Sequence, residues 1–572
     1  MTRKPTSAFL LALALAVGFA SCGPEYDLII RGGSVIDGTG SPARRADVGV
    51  KGDRIDRIGD LTGKRAAKEI DASGLAVTPG FIDVQGQSGN SLLVDGNGES
   101  HIRQGITSEI IGEGSTPALW RQDQTPPDRL RATGVGPQMP GQPAPDWNSF
   151  DGYLRTLERR GTSINVGSFV PIAMVRGEVV GLDNRPPTAD ELARMEAIVD
   201  GAMREGAFGL ATALIYPPAS FASTGEIIAL ATVAARYGGV YITHVRGESF
   251  RVKEAIREAI SIGEQAKLPV VIYHLKVAAR PLWGTMGEVG KIVDEARARG
   301  LNVSACQYPY TAGGTGLAAS LPGWVQEGGR ERMLERLRDL SLRPKIRDEI
   351  QTKLPGEGFD GAENLVAGST FEGIQIASVP QDRDQSVVGK RVSQIASERN
   401  EDPWETYFKL LVDNDGRVGA LYHMMSEEDV RTAMVFPWVS IGTDAAAIKP
   451  DGELGRGQPH PRSYGTFPRI LGRYVRDAKL LPLEEAIRKM SGLAAAQLQI
   501  RERGELRPGW FADVVIFDPA TVIDHATFER PHQYSTGVRH VIVNGIVTVE
   551  NEQHTGARAG RGLYGPGYRR GT

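Results

Sequence analysis

Two histidines, His244 and His274, each close an apolar, β-branched run: Val240-Tyr241-Ile242-Thr243-His244 and Val270-Val271-Ile272-Tyr273-His274. Read as consecutive parallel strands, these runs lie about 5 Å apart, near enough for both imidazoles to reach one cation. Imidazole suits zinc, and catalytic zinc sites use three protein ligands and keep a position for water. One strand-end histidine alone would be read as a loop hydrogen-bonder. Two at equivalent places, out of nine in the chain, point to a metal. Asp444 ends a later run, Val439-Ser440-Ile441-Gly442-Thr443. In the same pocket it could take a proton from water and pass it to a leaving amine. Asx-turn and cap aspartates also sit at such junctions, so by itself the residue is a weak signal.

The elements that must position these groups alternate between strand and helix. Ile164 to Val170 is strand-like, and a helix starts after Thr188, which has acidic residues in its first turn. Helical patterns at Val252 to Gln265 and Met286 to Arg299 separate the His244 run, the His274 run and Asn302 to Tyr308. Repeating β-α units predict a parallel sheet, closed as a barrel or left open. Polar residues at strand C-termini suit a barrel, whose chemistry lies at that face. An open doubly wound sheet also binds ligands there, but no Gly-rich phosphate fingerprint follows the first strand. Residues from about 322 to 400 are charged and helical and read as an insertion over the barrel mouth. The ends of the chain, 26–78 and 503–552, carry short strands with Gly turns and are expected to assemble one small sheet, the alternative being two separate appendages. The Gly/Arg-rich stretch 553–572 is expected to be loose.

The 572 residues carry a net charge of −3, with 66 Lys+Arg against 69 Asp+Glu, and no long basic run, so nucleic acid is not an expected partner. The only cysteines are Cys22 and Cys306, which excludes a disulfide framework and a Cys-rich zinc site. Residues 1–22 read as a processing signal: Arg3 and Lys4, then an apolar run from Phe9 to Val17, then Phe19-Ala20-Ser21-Cys22-Gly23. That ending resembles the lipobox of bacterial lipoproteins. It predicts an exported protein, periplasmic or at the cell surface, held to the membrane by a lipid on Cys22. Ordinary signal-peptidase cleavage nearby, with Cys22 incidental, is the alternative.

A longer set of motifs runs in order from about 26 to 545: Pro79-Gly80-Phe81-Ile82-Asp83-Val84, Leu214-Ile215-Tyr216-Pro217-Pro218, Thr243-His244-Val245-Arg246, His274-Leu275-Lys276, Gln307-Tyr308-Pro309-Tyr310-Thr311-Ala312, Gly442-Thr443-Asp444 and His460-Pro461-Arg462-Ser463-Tyr464-Gly465-Thr466-Phe467. Together they resemble the N-acyl-D-amino-acid deacylases (D-aminoacylases) of the amidohydrolase superfamily. The resemblance implies an α/β fold: a (β/α)₈ TIM barrel over 79–502 with a small β-sandwich from both termini and an insert near the active site. It also implies that His244 and His274 bind metal, that Asp444 is catalytic, and that Lys276 and Tyr216, with Arg246, face the substrate carboxylate.

Two departures bear on the metal. The superfamily's His-x-His after the first barrel strand is Gln85-Gly86-Gln87 here, and neutral carboxamides are weak zinc ligands. The family's metal-binding Cys is missing from Ile110-Ile111-Gly112-Glu113-Gly114-Ser115, where Glu113 lies within one position of its slot. The expectation is therefore one divalent metal, Zn²⁺, on His244, His274 and Glu113, a His₂Glu set. The expected partner is a small N-acyl amino acid or peptide-like amide. The rivals are a metal-free, non-catalytic binding protein on the same fold, and a cyclic-amide or dipeptide hydrolase. The latter would normally need a bridging carboxylated lysine, which the strand at 164–170 does not offer.

Overall fold

The computed structural model describes residues 24–120 and 142–569, so the processing signal and Cys22 lie outside the described residues. No helix among the described residues is long and apolar enough to cross a membrane.

Strands from both ends of the chain form one nine-stranded sheet. Tyr26–Val35 pairs antiparallel with Arg44–Lys51 and parallel with Ala66–Asp71 and Ala76–Pro79. The two ends join where Ala76–Pro79 pairs antiparallel with Val514–Phe517, Val77 opposite Ile516 and Pro79 opposite Val514. Alternate apolar residues (Leu28, Ile30, Val48, Val50, Val514, Ile516) share one buried cluster, as a half-buried strand requires. Asn544 and Gly545, both at positive φ (49° and 82°), turn Val538–Val543 into Ile546–Glu550, the conformation that a two-residue hairpin favours.

Between these ends, apart from the insert, the strands are parallel and helices make the crossovers, which gives an α/β fold. Six strands lie in the order Val439–Ile441, Val303–Gln307, Val270–Ile272, Val240–His244, Gly209–Ala213, Val170–Pro171. A second parallel sheet holds Phe81–Asp83, Ile106–Ile111 and Asn165–Ser168. The sheets approach each other twice. Only Phe169 separates Asn165–Ser168 from Val170–Pro171. At the other side Gly86 bridges Ala445, and the amide of Asp444 donates to Gln85 O at 2.9 Å. The helix Ala189–Arg204 starts after Thr188 as predicted, and Thr188 with Glu191 forms a capping box there.

The expected helical insertion at 322–400 needs wider bounds and a sheet at its heart. Gly313–Gly316, Gly419–Tyr422 and Ile374–Ser378 make a three-stranded antiparallel sheet, and Gly329–Arg338, Arg343–Thr352 and Pro403–Asp413 pack with it around a separate core. Gly313-Gly314-Thr315-Gly316 has too few β-branched side chains to read as a strand.

Glu363 in this insert accepts the backbone N–H groups of Glu248 and Ser249 and the Ser249 hydroxyl. Burial, with the Glu248 carboxylate adding to it, raises Glu363 from 4.5 to about 7. The folded state then holds this proton more tightly than the unfolded chain. The contribution is whole below about pH 4.5 and is lost as pH rises through about 7. Glu363→Gln keeps the acceptor and cannot ionise. It is expected to leave stability near the parental value at about pH 5 and to raise both Tm and stability near pH 8.5, the latter by on the order of 1–3 kcal/mol. Equal shifts at both pH values in thermal melts would contradict a titrating contact.

The segment expected to be loose is instead packed as far as 569. Its backbone zips onto the parallel strands: Gly560 N to Thr162 O at 2.7 Å, Val166 N to Arg561 O at 2.9 Å and Leu563 N to Val166 O at 2.8 Å. The glycines permit contact and do not loosen the chain. A Cβ on Gly560 would stand 2.1 Å from Ile164 O, and one on Gly565 would stand 2.1 Å from Ala207 O.

Candidate metal centre

Three side chains from three strand ends converge. His244 closes its strand, and the pairing of Thr243 with Ile272 sets the His274 loop beside it. Glu113 follows Ile106–Ile111 across Gly112. Glu113 Oε1 stands 3.0 Å from His244 Nδ1 and 3.3 Å from His274 Nε2. The ligand atoms of all three lie within 4.8 Å of one another, and all three residues are buried. His274 (φ 33°) and Asp444 (φ 52°) have left-handed backbone, which non-glycine residues rarely adopt. Such conformations persist where neighbours hold them, and they gather at functional sites. Here the His274 amide donates to Cys306 Sγ at 3.3 Å.

Glu248, which no sequence motif singled out, faces the outer nitrogen of both rings. Its Oε1 is 2.9 Å from His274 Nδ1 and its Oε2 is 3.3 Å from His244 Nε2. Both are ion-pair distances without hydrogen-bond geometry: His244 Nε2 has no hydrogen-bond partner, and the hydrogen bond at His274 Nδ1 is with Lys276 Nζ. Without an ion, protonated His244 and the Glu113 anion sustain one another. Burial opposes a charge on His244, yet Glu248 and Glu113 hold it up at about 9. Burial likewise opposes the Glu113 anion, but bonds from His244 and His274 keep it well below the usual carboxylate range. Two buried imidazoles and a fixed carboxylate are a donor set that a divalent cation satisfies.

Asp444 stands opposite. Burial raises its acid, Arg462 opposes that and Glu113 reinforces it. Arg462 Nη1 is 2.7 Å from Asp444 Oδ2 but off the hydrogen-bonding direction, so Nε and Nη1 of this buried guanidinium find no acceptor. Its plane lies over the Tyr308 ring at 4.6 Å. Arg462 was legible only as part of a motif; a cation opening the helix after the Asp444 loop was the available signal.

Of the expected substrate contacts, two reach the site. Lys276 is buried, its Nζ 2.7 Å from Glu248 Oε1 and 2.6 Å from His274 Nδ1. Tyr216 packs edge-on to His244 with ring centres 5.6 Å apart, and its hydroxyl meets Thr315 Oγ1 at 2.8 Å. Arg246 does not reach it. Its guanidinium pairs with Glu258 on the next helix and donates to the carbonyls of Ser220 and Ala222.

These groups line one cavity of about 790 Å³, within the range of small-molecule sites. Glu113, His244, His274, Lys276, Asp444 and Arg462 form its floor, and the insert supplies other walls, among them Thr315, Arg330 and Tyr422. A second buried group, Asp83, His101 and Glu109, also has ligand atoms within 4.8 Å but does not border the cavity. The oxygens of Asp83 accept from Thr443 and from the Gln85 amide, which anchors the Asp444 loop.

The sequence model of the amidohydrolase family matches residues 393–549. The chain is 35% identical over 538 residues to the D-aminoacylase of Alcaligenes xylosoxydans xylosoxydans, covering 94% of this chain and 97% of that one. A solved D-aminoacylase structure, concerned with one-metal activation and second-metal attenuation in its binuclear metal centre, is similar at 34% identity, covering 94% of this chain and 100% of that one, with a TM-score of 0.75. The N-acyl-D-glutamate deacylase of Bordetella bronchiseptica, solved with zinc and a phosphonate mimic of the tetrahedral intermediate, gives 30% identity and a TM-score of 0.76, covering 94% of this chain and 99% of that one.

Proposed function

The chain belongs to the N-acyl-D-amino-acid deacylases of the amidohydrolase family, and on that premise we infer that it is a metal-dependent hydrolase that deacylates N-acyl-D-amino acids. The observation that carries this is the convergence of Glu113, His244 and His274, with Asp444 and Arg462 opposite, at the floor of one cavity. His244 Nδ1, His274 Nε2 and Glu113 Oε1 would hold a single ion, with zinc the reading that fits the His₂Glu set. When bound, a divalent ion supplies Lewis-acid polarisation of an amide carbonyl and lowers the pKa of water towards roughly 7.

The chain's own groups do the rest. Asp444 takes a proton from the attacking water as its oxygen bonds to the acyl carbon. It then gives that proton to the amide nitrogen as the C–N bond breaks, so that a free carboxylic acid and an amino acid leave. An acid raised by burial and by Glu113 suits that exchange better than a fully solvated aspartate. Arg462, with unused donors in the pocket, orients the substrate carboxylate by charge-assisted bonds. Lys276 supports it from a position already neutralised by Glu248, and Tyr216 closes the side towards the insert.

Three further readings belong with this one. The two parallel sheets form one eight-stranded (β/α)₈ barrel, a reading supported by the continuity through Phe169 and the Gly86–Ala445 bridge. Residues 26–78 and 503–552 form one small β unit beside the catalytic unit 79–502, supported by their common sheet; the expected sandwich is replaced by a single nine-stranded sheet. Export and a lipid on Cys22 rest on the sequence alone.

The test is hydrolysis of an N-acetyl-amino-acid panel in both enantiomers by the zinc-loaded protein. We expect turnover of D substrates at least about 10²-fold above their L partners, a discrimination of roughly 3 kcal/mol. No hydrolysis of either series by protein shown to hold the ion would sink the assignment.

A further inference from the structure

Gln85 and Gln87 occupy the places of the expected His-x-His, and both turn their carboxamides on Glu113. Gln85 Nε2 donates to Glu113 Oε2 at 2.8 Å, and Gln87 Nε2 donates to the same oxygen at 2.7 Å. The Gln85 amide is fixed from its other end, where the Cys306 thiol donates to Oε1 at 3.5 Å. Gln87 Nε2 also lies 3.4 Å from Asp444 Oδ1, so one NH₂ group spans both carboxylates. The backbone beneath is pinned: Gln85 N donates to Asp83 Oδ1 at 3.0 Å, Gly86 N to Ile110 O at 3.0 Å and Gln87 N to Ala445 O at 2.8 Å. Gly86 has no room for a side chain, since a Cβ would stand 2.7 Å from Glu109 Oε2.

The consequence is a division of labour within one carboxylate. Oε2 of Glu113 takes two N–H bonds, and Oε1 is left facing the two histidines. We propose that Gln85 and Gln87 are positioning residues of a one-ion centre: they hold Glu113 as a single-oxygen ligand and fill with N–H donors the space that a histidine pair would open to a second cation. A cation between Glu113 and Asp444 would meet the positive ends of those amides. Turning the Gln85 carbonyl towards it would set oxygen against the Oε2 anion and strand the thiol. Neutral donors thus stabilise by hydrogen bonds an anion that a second ion would otherwise balance. The proposal rests on the reading of Glu113 as a ligand.

Zinc uptake by the full chain, measured by elemental analysis and by chelator competition, tests it. The parent is expected to take one zinc per chain even in excess metal. Gln85→Met and Gln87→Met keep length and remove the donors. Each is expected to raise the zinc dissociation constant by about 10–100-fold, as loss of a group that orients a ligand does. The cobalt-loaded forms should show altered visible absorption, which a purely structural role would leave unchanged. Should a Met variant fail to fold, the double variant Q85H/Q87H decides: a second ion bound supports the proposal, one ion at parental affinity overturns it. Two ions in the parent, or Met variants within about 3-fold of parental affinity and with the parental cobalt spectrum, also overturn it. A parent that binds no zinc at all would overturn the metal centre itself, and the proposal with it.

Discussion

Asp444→Asn is expected to lower kcat by about 10³-fold while zinc content stays at the parental level, within the range for loss of a general acid–base group. Asparagine is the informative replacement because the site demands a left-handed backbone, φ 52°, which asparagine tolerates better than most residues. Its carbonyl oxygen can still accept from Gln87, so the loop anchored by Thr443 on Asp83 should stay in place. What disappears is the ability to carry a proton between water and the amide nitrogen. Steady-state kinetics beside elemental analysis would separate the two effects. Turnover within about tenfold of parental, with zinc bound, would remove Asp444 from its role.

Loss of a histidine should act one step earlier, on the ion. Structural zinc sites with four ligands bind with about 10–16 kcal/mol, or roughly 3–4 kcal/mol per ligand, so removing one ligand should weaken binding by about 10²–10³-fold. His244→Ala suits a regular strand end. At His274, with φ 33°, Asn is again the cleaner choice because Ala would add backbone strain to the lost ligand. Both variants should lose zinc on dialysis against a chelator that the parent resists, and activity should return at high added zinc. Parental zinc retention in both would mean that the ion, if present, sits elsewhere.

The histidine pair and Asp444 were legible because each ends a short apolar run, and strand period fixes where such a residue emerges. Glu113 needed the family's pattern, since no periodicity distinguishes it from a solvent-facing loop acid. Arg246 was misjudged for a related reason. Its partner, Glu258, comes one helix later, and no local pattern shows which of two nearby anions a guanidinium will choose. Glu248 could not be found from spacing, because its contacts depend on two rings brought together by strand pairing. Gln85 and Gln87 read as lost ligands, and only their hydrogen bonds reveal them as donors. In the fold, βα alternation gave the parallel strands. The Gly-rich strand of the insert and the Gly-rich end of the chain were misread because glycine marks both flexibility and close contact.

The seam between Ala76–Pro79 and Val514–Phe517 joins residues more than four hundred positions apart. A nascent chain leaving the ribosome carries Ala76–Pro79 as an open edge until nearly all of it has been made, and open edges recruit stray strands. Pairing so distant also slows folding. A chain cut short before Val514 would keep that edge open for good.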